Sequence, residues 1–118
     1  EFRRVLFRSV VYFIWREPYY IAGKETFIDA ILSAAGYENV CKAARYPSLD
    51  EIGAIQPDLV FLSSEPYPFS EQHLNEMRAL FPHSEICLVD GEMFSWYGSR
   101  LRLAPGYFNL LADKFSGQ

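Results

Sequence analysis

The stretch VVYFIW, residues 10–15, is a continuous run of β-branched and aromatic side chains. Continuous apolar runs of this length are typical of strands that are buried on both faces, as in parallel sheets. Two later runs, DLVFLSS at 58–64 and EICLVDG at 85–91, have the same character. None of the three alternates apolar with polar residues, as a strand with one solvent face does. We therefore predict three central strands in a mainly parallel sheet.

Helical patterns separate these strands. The segment KETFIDAILSAAG, residues 24–36, ends in a glycine, which is common just past the end of a helix. Its apolar positions recur at helical spacing: Phe27, Ile28, Ile31, Leu32 and Ala35. In SLDEIGAIQP, residues 48–57, Ser48 and Glu51 are spaced as a capping box, and Pro57 is expected to end the helix. A short edge strand is predicted between these two helices, at residues 39–41.

Two further helices are predicted, within SEQHLNEMRALFP at 70–82 and RLRLAPGYFNLLADKF at 100–115. Ser70 has the expected identity of an N-cap in the first of them. Strands and helices thus alternate along the chain. This order predicts an α/β fold, with an open, mainly parallel sheet and helices on both of its faces.

The composition excludes several classes of function. The 118 residues carry a formal net charge of −4 without a basic cluster, so nucleic acid is not an expected partner. No apolar run approaches the roughly 20 residues that are needed to cross a bilayer. Cys41 and Cys87 match neither a metal-ligand spacing nor a CxxC redox motif, and a disulfide between them stays open. His73 and His83 are expected at the surface, and no metal held by protein side chains is predicted.

The first nine residues, EFRRVLFRS, differ from the rest of the chain. They contain three of the eleven basic residues and show no cap or turn that would begin a domain. The segment RVLFRS also resembles the translation of a common sequencing adapter. We therefore expect residues 1–9 to be a non-native leader and residues 10–118 to form the α/β domain. A basic lead-in to the first strand is the alternative.

Aromatic residues are concentrated in the three loops that follow the predicted strands, namely WREPYY at 15–20, SSEPYPF at 63–69 and DGEMFSWYGSR at 90–100. In an open parallel sheet such loops share the edge at which ligands bind. Arg16 and Arg100 flank the aromatic set. A broad aromatic surface suits a large flat organic ligand or a protein interface. Aromatic residues that only cap the sheet would instead pack on the adjacent helices.

Glu65 and Glu92 are two of the carboxylates in these loops. A carboxylate pair is able to act as general acid and base. Since no histidine or nucleophile accompanies them, no catalytic residue is predicted and the protein is not expected to be an enzyme. An α/β enzyme lobe that uses these two glutamates stays an alternative, as does a protein-interaction module that uses the aromatic edge.

Three segments carry a resemblance to a known family: WREPYYIAGKETFIDAILSAAGYENV at 15–40, YPSLDEIGAIQPDLVFLSSEPYPF at 46–69, and LVDGEMFSWYGSRL at 88–101. Together they resemble the C-terminal lobe of helical-backbone substrate-binding proteins of ABC transporters (periplasmic binding protein class III). The resemblance is greatest to the vitamin B12-binding branch, with its siderophore and haem relatives. It extends from Val10 to about Phe115.

The resemblance implies a receptor with two α/β lobes, of which this chain would be the C-terminal one and the N-terminal lobe would be missing. The ligand would be cobalamin or another corrinoid, with haem or a siderophore as alternatives. The metal would be part of the ligand, and the receptor would deliver the whole ligand to an ABC permease. The location implied is the periplasm or cell envelope. Carried over by position, the ligand-binding residues would be Trp15, Arg16, Tyr19, Tyr67, Phe94, Trp96, Tyr97 and Arg100. Glu65 would dock against the permease, with Glu71 as a substitute.

Overall fold

The computed structural model describes residues 8–92. Within these residues, five strands form one sheet. They are β1 (Ser9–Trp15), β2 (Tyr20–Ile21), β3 (Glu38–Asn39), β4 (Leu59–Ser63) and β5 (Glu85–Val89). In the same part of the chain, three α-helices and one 3₁₀ turn connect the strands. These are α1 (Phe27–Ala34), α2 (Leu49–Ile52), the 3₁₀ turn Glu71–His73, and α3 (Leu74–Leu80).

The strand order is β2-β1-β4-β5, and β3 also pairs with β1. The three long strands run parallel, with Val10 opposite Leu59 and Leu59 opposite Glu85. The pair β1–β2 is antiparallel, and its register shifts between Phe13 and Trp15. The predicted α/β class with an open, mainly parallel sheet is therefore confirmed.

Alternate residues of the strands point to opposite faces of the sheet, and a separate core lies on each face. Val10 and Tyr12 lie in the core that α1 covers through Ile31 and Leu32. Val11 and Phe13 lie in the other core, which receives two residues from the α3 region: Met77 and Phe81. Helices thus cover both faces, as the continuous apolar strands predict.

The caps of α1 follow from its sequence. The Thr26 hydroxyl accepts a hydrogen bond of 3.0 Å from the Asp29 N–H at the amino end. At the other end, Gly36 adopts a φ of 91°, a conformation that costs glycine little. The Gly36 and Tyr37 N–H groups donate to the Ser33 and Leu32 carbonyls, both at 3.0 Å, which is the Schellman arrangement.

Several element boundaries differ from the sequence prediction. The second helix ends at Ile52, five residues before Pro57, because Gly53 leaves the helical region with a φ of 83° and a ψ of −157°. The predicted helix at 70–82 begins as a 3₁₀ turn and ends at Leu80. The edge strand lies at Glu38–Asn39, one residue earlier than predicted.

The loop after β1 also differs from the predicted alternation of strands and helices. It turns back into the antiparallel strand β2 and does not lead directly into a helix.

Residues 8 and 9 are built into the domain, although residues 1–9 are predicted to be a leader. Ser9 begins β1. Its N–H donates to the Asp58 carboxylate at 3.0 Å, and its hydroxyl oxygen accepts from the Asp58 N–H at 2.8 Å. The Arg8 guanidinium lies 3.6 Å from the Glu85 carboxylate. The boundary at Val10 stays a prediction, and the predicted helix at 100–115 lies outside the described residues. Within residues 8–92, no helix has the length and apolar character that crossing a membrane requires.

Candidate functional site

At the carboxyl edge of the sheet, the loop after β4 contacts the end of β1 and the start of the loop after β5, of which residues 90–92 are described. The loop after β4 lies across the end of β1, where the Tyr67 N–H donates to the Ile14 carbonyl at 3.3 Å. The same loop reaches the end of β5, since the Ser64 hydroxyl accepts from the Gly91 N–H at 2.9 Å. These two hydrogen bonds help to fix the position of the side chains that the loops carry.

Trp15 and Tyr67 lie in direct contact at this edge. Their ring centroids are 5.4 Å apart and their planes meet at 77°, an edge-to-face arrangement that aromatic rings favour. Trp15 keeps 39% of its surface exposed, and Tyr67 is half-buried. Behind Tyr67, the Phe69 ring follows at 4.7 Å. Two of the predicted ligand-binding residues are thus brought together, while their role in binding stays a prediction.

Arg16 lies at the same edge, but its charge is already paired. The guanidinium donates from Nε to both carboxylate oxygens of Glu76, at 3.1 and 2.9 Å, and from Nη2 at 2.9 Å. A second carboxylate, that of Glu17, lies 3.4 Å away. The hydrogen bonds to Glu76, then one to Tyr67, raise the pKa of Arg16 above its ordinary value. An anionic ligand would have to compete with Glu76 for this cation.

Tyr19 contributes to the core more than to the edge. Its ring packs edge-on against Phe13 at 5.4 Å, and the side chain is half-buried. Its neighbour Tyr20, which the sequence analysis does not select, is exposed at the register position opposite Trp15.

Glu65 is exposed in the loop after β4, as a residue that docks against another protein must be. Glu92 is also exposed, two residues beyond the Asp90 carboxylate that accepts its N–H at 3.0 Å. The remaining predicted ligand-binding residues lie outside the described residues: Phe94, Trp96, Tyr97 and Arg100.

His73 is not at the surface, so its predicted position was wrong. It is 5% exposed, and its ring lies 5.4 Å from the rings of both Tyr67 and Phe69. Its Nδ1 accepts a hydrogen bond of 3.0 Å from the Ser70 N–H. The side chain is buried because it closes the N-cap of the helical segment that begins at Glu71. The sequence signal for this is a polar residue at the third position after a capping serine.

Two further aromatic residues are strongly exposed, and neither was predicted as a site residue. Phe27 is 63% exposed, although its spacing placed it on the apolar face of α1, and Tyr46 is 45% exposed. Both line an open groove of about 500 Å³, together with Glu25, Thr26 and Arg45. A larger groove, of about 700 Å³, opens at the amino edge between residues 53–58 and 80–84. That groove is far from the strand-end loops and contains few aromatic side chains.

Among residues 8–92, no group of three or more histidine, cysteine, aspartate or glutamate side chains is arranged to hold a metal ion. Cys41 and Cys87 are buried in opposite cores and are not bonded to each other. The disulfide that the sequence left open is therefore not formed. The described part of the edge offers aromatic surface and paired charges.

The chain resembles halves of three solved binding proteins. The first is described as a possible iron-binding (periplasmic solute-binding) protein from Staphylococcus epidermidis; the match is 22% identical with a TM-score of 0.66, covering 90% of this chain and 44% of the other. The periplasmic haem-binding protein HutB of Vibrio cholerae is 24% identical with a TM-score of 0.60, over 88% and 47% of the two chains. The periplasmic vitamin B12-binding protein BtuF of Vibrio cholerae is 13% identical with a TM-score of 0.58, over 91% and 46%.

No protein-family model matches the chain, and no curated protein sequence does either. The chain spans less than half the length of each solved structure. All three are described as binding proteins and none as an enzyme. The chain therefore has the fold of one lobe of a periplasmic substrate-binding protein.

Proposed function

We propose that this chain is the C-terminal lobe of a substrate-binding protein that captures a large metal chelate for an ABC importer. Cobalamin or another corrinoid is the first choice of ligand, and haem or a ferric siderophore is the alternative. The similarity in fold to one lobe of such proteins supports the proposal. The names of the three similar proteins support it as well, because they mention iron, haem and vitamin B12. The proposed location is the periplasm or cell envelope.

The observation that carries the proposal is the aromatic surface at the carboxyl edge. Trp15 is exposed there and rests on the half-buried Tyr67 ring at 5.4 Å. Phe27 and Tyr46 add exposed rings beside a groove. An exposed ring that packs against a half-buried ring, as Trp15 does on Tyr67, loses little conformational entropy on binding. Such rings suit the flat apolar face of a macrocycle.

The charges at this edge favour a ligand that brings its metal already chelated. Arg16 is neutralised by Glu76, so the cation does not select for a small free anion. Metal binding by the chain itself would need several convergent donors, and the described residues contain no such group. We therefore propose that recognition occurs through ring contacts with the chelate and through polar contacts at its rim.

Equilibrium binding of cyanocobalamin, hemin and a ferric siderophore tests the proposal in the two-lobe protein of which this chain would be one part. Trp15→Ala and Tyr46→Ala should each weaken the ligand that binds by about tenfold, the usual weight of an aromatic anchor in an interface. Leu80→Ala is the matched control, because Leu80 is a similarly exposed apolar residue at the opposite groove. Absence of saturable binding for all three chelates would contradict the proposal.

We also propose that Glu65 docks against the permease, since it is exposed in a loop at the carboxyl edge. Glu65→Lys should lower ligand uptake by cells without changing the affinity of the purified protein. Glu38→Lys is the matched control, because Glu38 is also exposed but lies beside Ser9, at the amino edge of the sheet. Equal loss of uptake in both variants, or loss of affinity in Glu65→Lys alone, would contradict this role.

A further inference from the structure

The imidazole of His73 joins two parts of the loop after β4. Nδ1 accepts from the Ser70 N–H at 3.0 Å, and Nε2 lies 3.2 Å from the Tyr67 hydroxyl. A backbone N–H is only a donor, so Nδ1 carries no proton in this arrangement. The neutral ring must then carry its proton on Nε2 and donate it to the Tyr67 oxygen.

Tyr67 also interacts with the Arg16 guanidinium. Glu76 holds the same guanidinium through hydrogen bonds. Tyr67 is thereby fixed between a ring from the helical segment and a cation from the β1–β2 turn. Its ring is presented edge-on to Trp15.

We propose that His73 is a positioning residue whose neutral imidazole holds Tyr67 against Trp15, and whose protonation releases this contact. The inference rests on the proposed function in one respect, because it assigns the Trp15–Tyr67 pair to the ligand surface. It adds a proton-dependent control of that surface.

Protonation changes two contacts at once. An imidazolium has donors at both nitrogens, so Nδ1–H would face the Ser70 N–H and the cap would be lost. The positive ring would also lie near the cation of Arg16. Tyr67 is the titratable group in contact with the ring. The other titratable and charged groups, on the elements next to it, are Arg16 and Glu17 from the β1–β2 turn, Glu71 from the 3₁₀ turn, and Glu76 from α3. Glu76 and Glu17 already pair with Arg16, so they compensate a second cation only in part.

A pH titration of the 118-residue chain without ligand tests this inference. The ¹⁵N shifts of the His73 ring report its tautomer and protonation, and the fluorescence of Trp15, in a Trp96→Phe background, reports the contact with Tyr67. We expect the Nε2–H tautomer at neutral pH and a change of Trp15 emission with the same midpoint as His73 protonation. The opposite tautomer, or Trp15 emission that does not follow His73, would overturn the inference.

Two variants separate positioning from simple support of the fold. In His73→Gln, the side-chain carbonyl can accept from Ser70 and the amide can donate to Tyr67, so the acid step in Trp15 emission should disappear. In Tyr67→Phe the ring remains but the acceptor is lost, and the emission should no longer follow His73 protonation. Persistence of the step in either variant would overturn the inference. Because no ligand is used, failure here is distinct from failure of the chelate to bind.

Discussion

The Arg16 guanidinium donates three hydrogen bonds of 2.9 to 3.1 Å to the Glu76 carboxylate, and this pair links the end of β1 to α3. The two residues are 60 positions apart in the chain. Side-on, two-point pairing of this kind requires the planar fork of arginine. The pair holds the turn that carries Trp15 against the helix that follows Tyr67.

Replacement of Arg16 by lysine is expected to lower the melting temperature, because an ammonium group cannot form the two-point contact with Glu76. Thermal unfolding followed by circular dichroism measures the change. Arg78→Lys is the control, since Arg78 makes only one exposed bond, 3.1 Å to Asn75 on its own helix. The pKa of Arg16 is raised, so its contribution is complete below the ordinary arginine pKa and is lost only at higher pH. Between pH 6 and about 9, the difference in melting temperature between Arg16→Lys and Arg78→Lys should therefore stay constant.

Replacement of Gly91 by alanine is expected to destabilise the chain by about 1–3 kcal/mol, the usual cost of overpacking. A Cβ at this position would meet the Ser63 hydroxyl, and it would also lie 2.8 Å from the Glu65 carbonyl oxygen. Urea unfolding measures the loss. Adding Ser63→Ala should recover only part of it, because the backbone carbonyl remains in place. Complete recovery would show that the carbonyl contact is unimportant.

Phe27 is expected to contribute to binding and not to stability. Phe27→Ser should change the free energy of unfolding by no more than about 0.5 kcal/mol, as exposed substitutions usually do. Ile31→Ala, one turn further along α1 and 1% exposed, should cost about 2–5 kcal/mol. In the chelate-binding assay, Phe27→Ser should weaken the ligand several-fold. Unchanged affinity would remove the groove beside Tyr46 from the proposed ligand surface.

Alkaline pH is expected to destabilise the fold through Cys41. Burial raises the pKa of this thiol above its ordinary value of 9.0, so the unfolded chain releases the proton first. The stabilising contribution is complete below pH 9.0 and falls as pH rises toward the folded-state pKa. Cys41→Ala should flatten this fall in urea midpoints measured between about pH 8 and 10.5. Burial also raises the pKa of Tyr37, so a smaller decline should remain in the variant at the upper end of the range.

The sheet and the first helix were predictable because their signals are local. The runs at 10–15 and 59–62 are apolar throughout, and Gly36 marks the end of α1 in the sequence as in the structure. The two-residue β2 was not predictable, because its pairing with β1 depends on a turn geometry that the sequence does not state. Helical spacing also misplaced Phe27, because it is the first residue of α1 and lies beyond the part of the helix that packs on the sheet.

The candidate site was predictable as a set of loops but not as a set of contacts. The rule that parallel strands share a carboxyl edge brings Trp15 and Tyr67 together. The partners of these residues come from distant positions. Glu76 neutralises Arg16 across 60 residues. No sequence pattern reports such long-range pairing.

The most direct test of the proposed function is a fluorescence titration of the two-lobe protein with cyanocobalamin and hemin, with Trp15 as the reporter. Trp96→Phe leaves Trp15 as the only indole of this chain, since the sequence contains two tryptophans. Saturable quenching by one chelate, weakened by Tyr67→Ala at unchanged circular dichroism, is the expected result. A folded protein whose Trp15 emission responds to neither chelate, while equilibrium dialysis detects no binding, would contradict chelate capture at the aromatic edge.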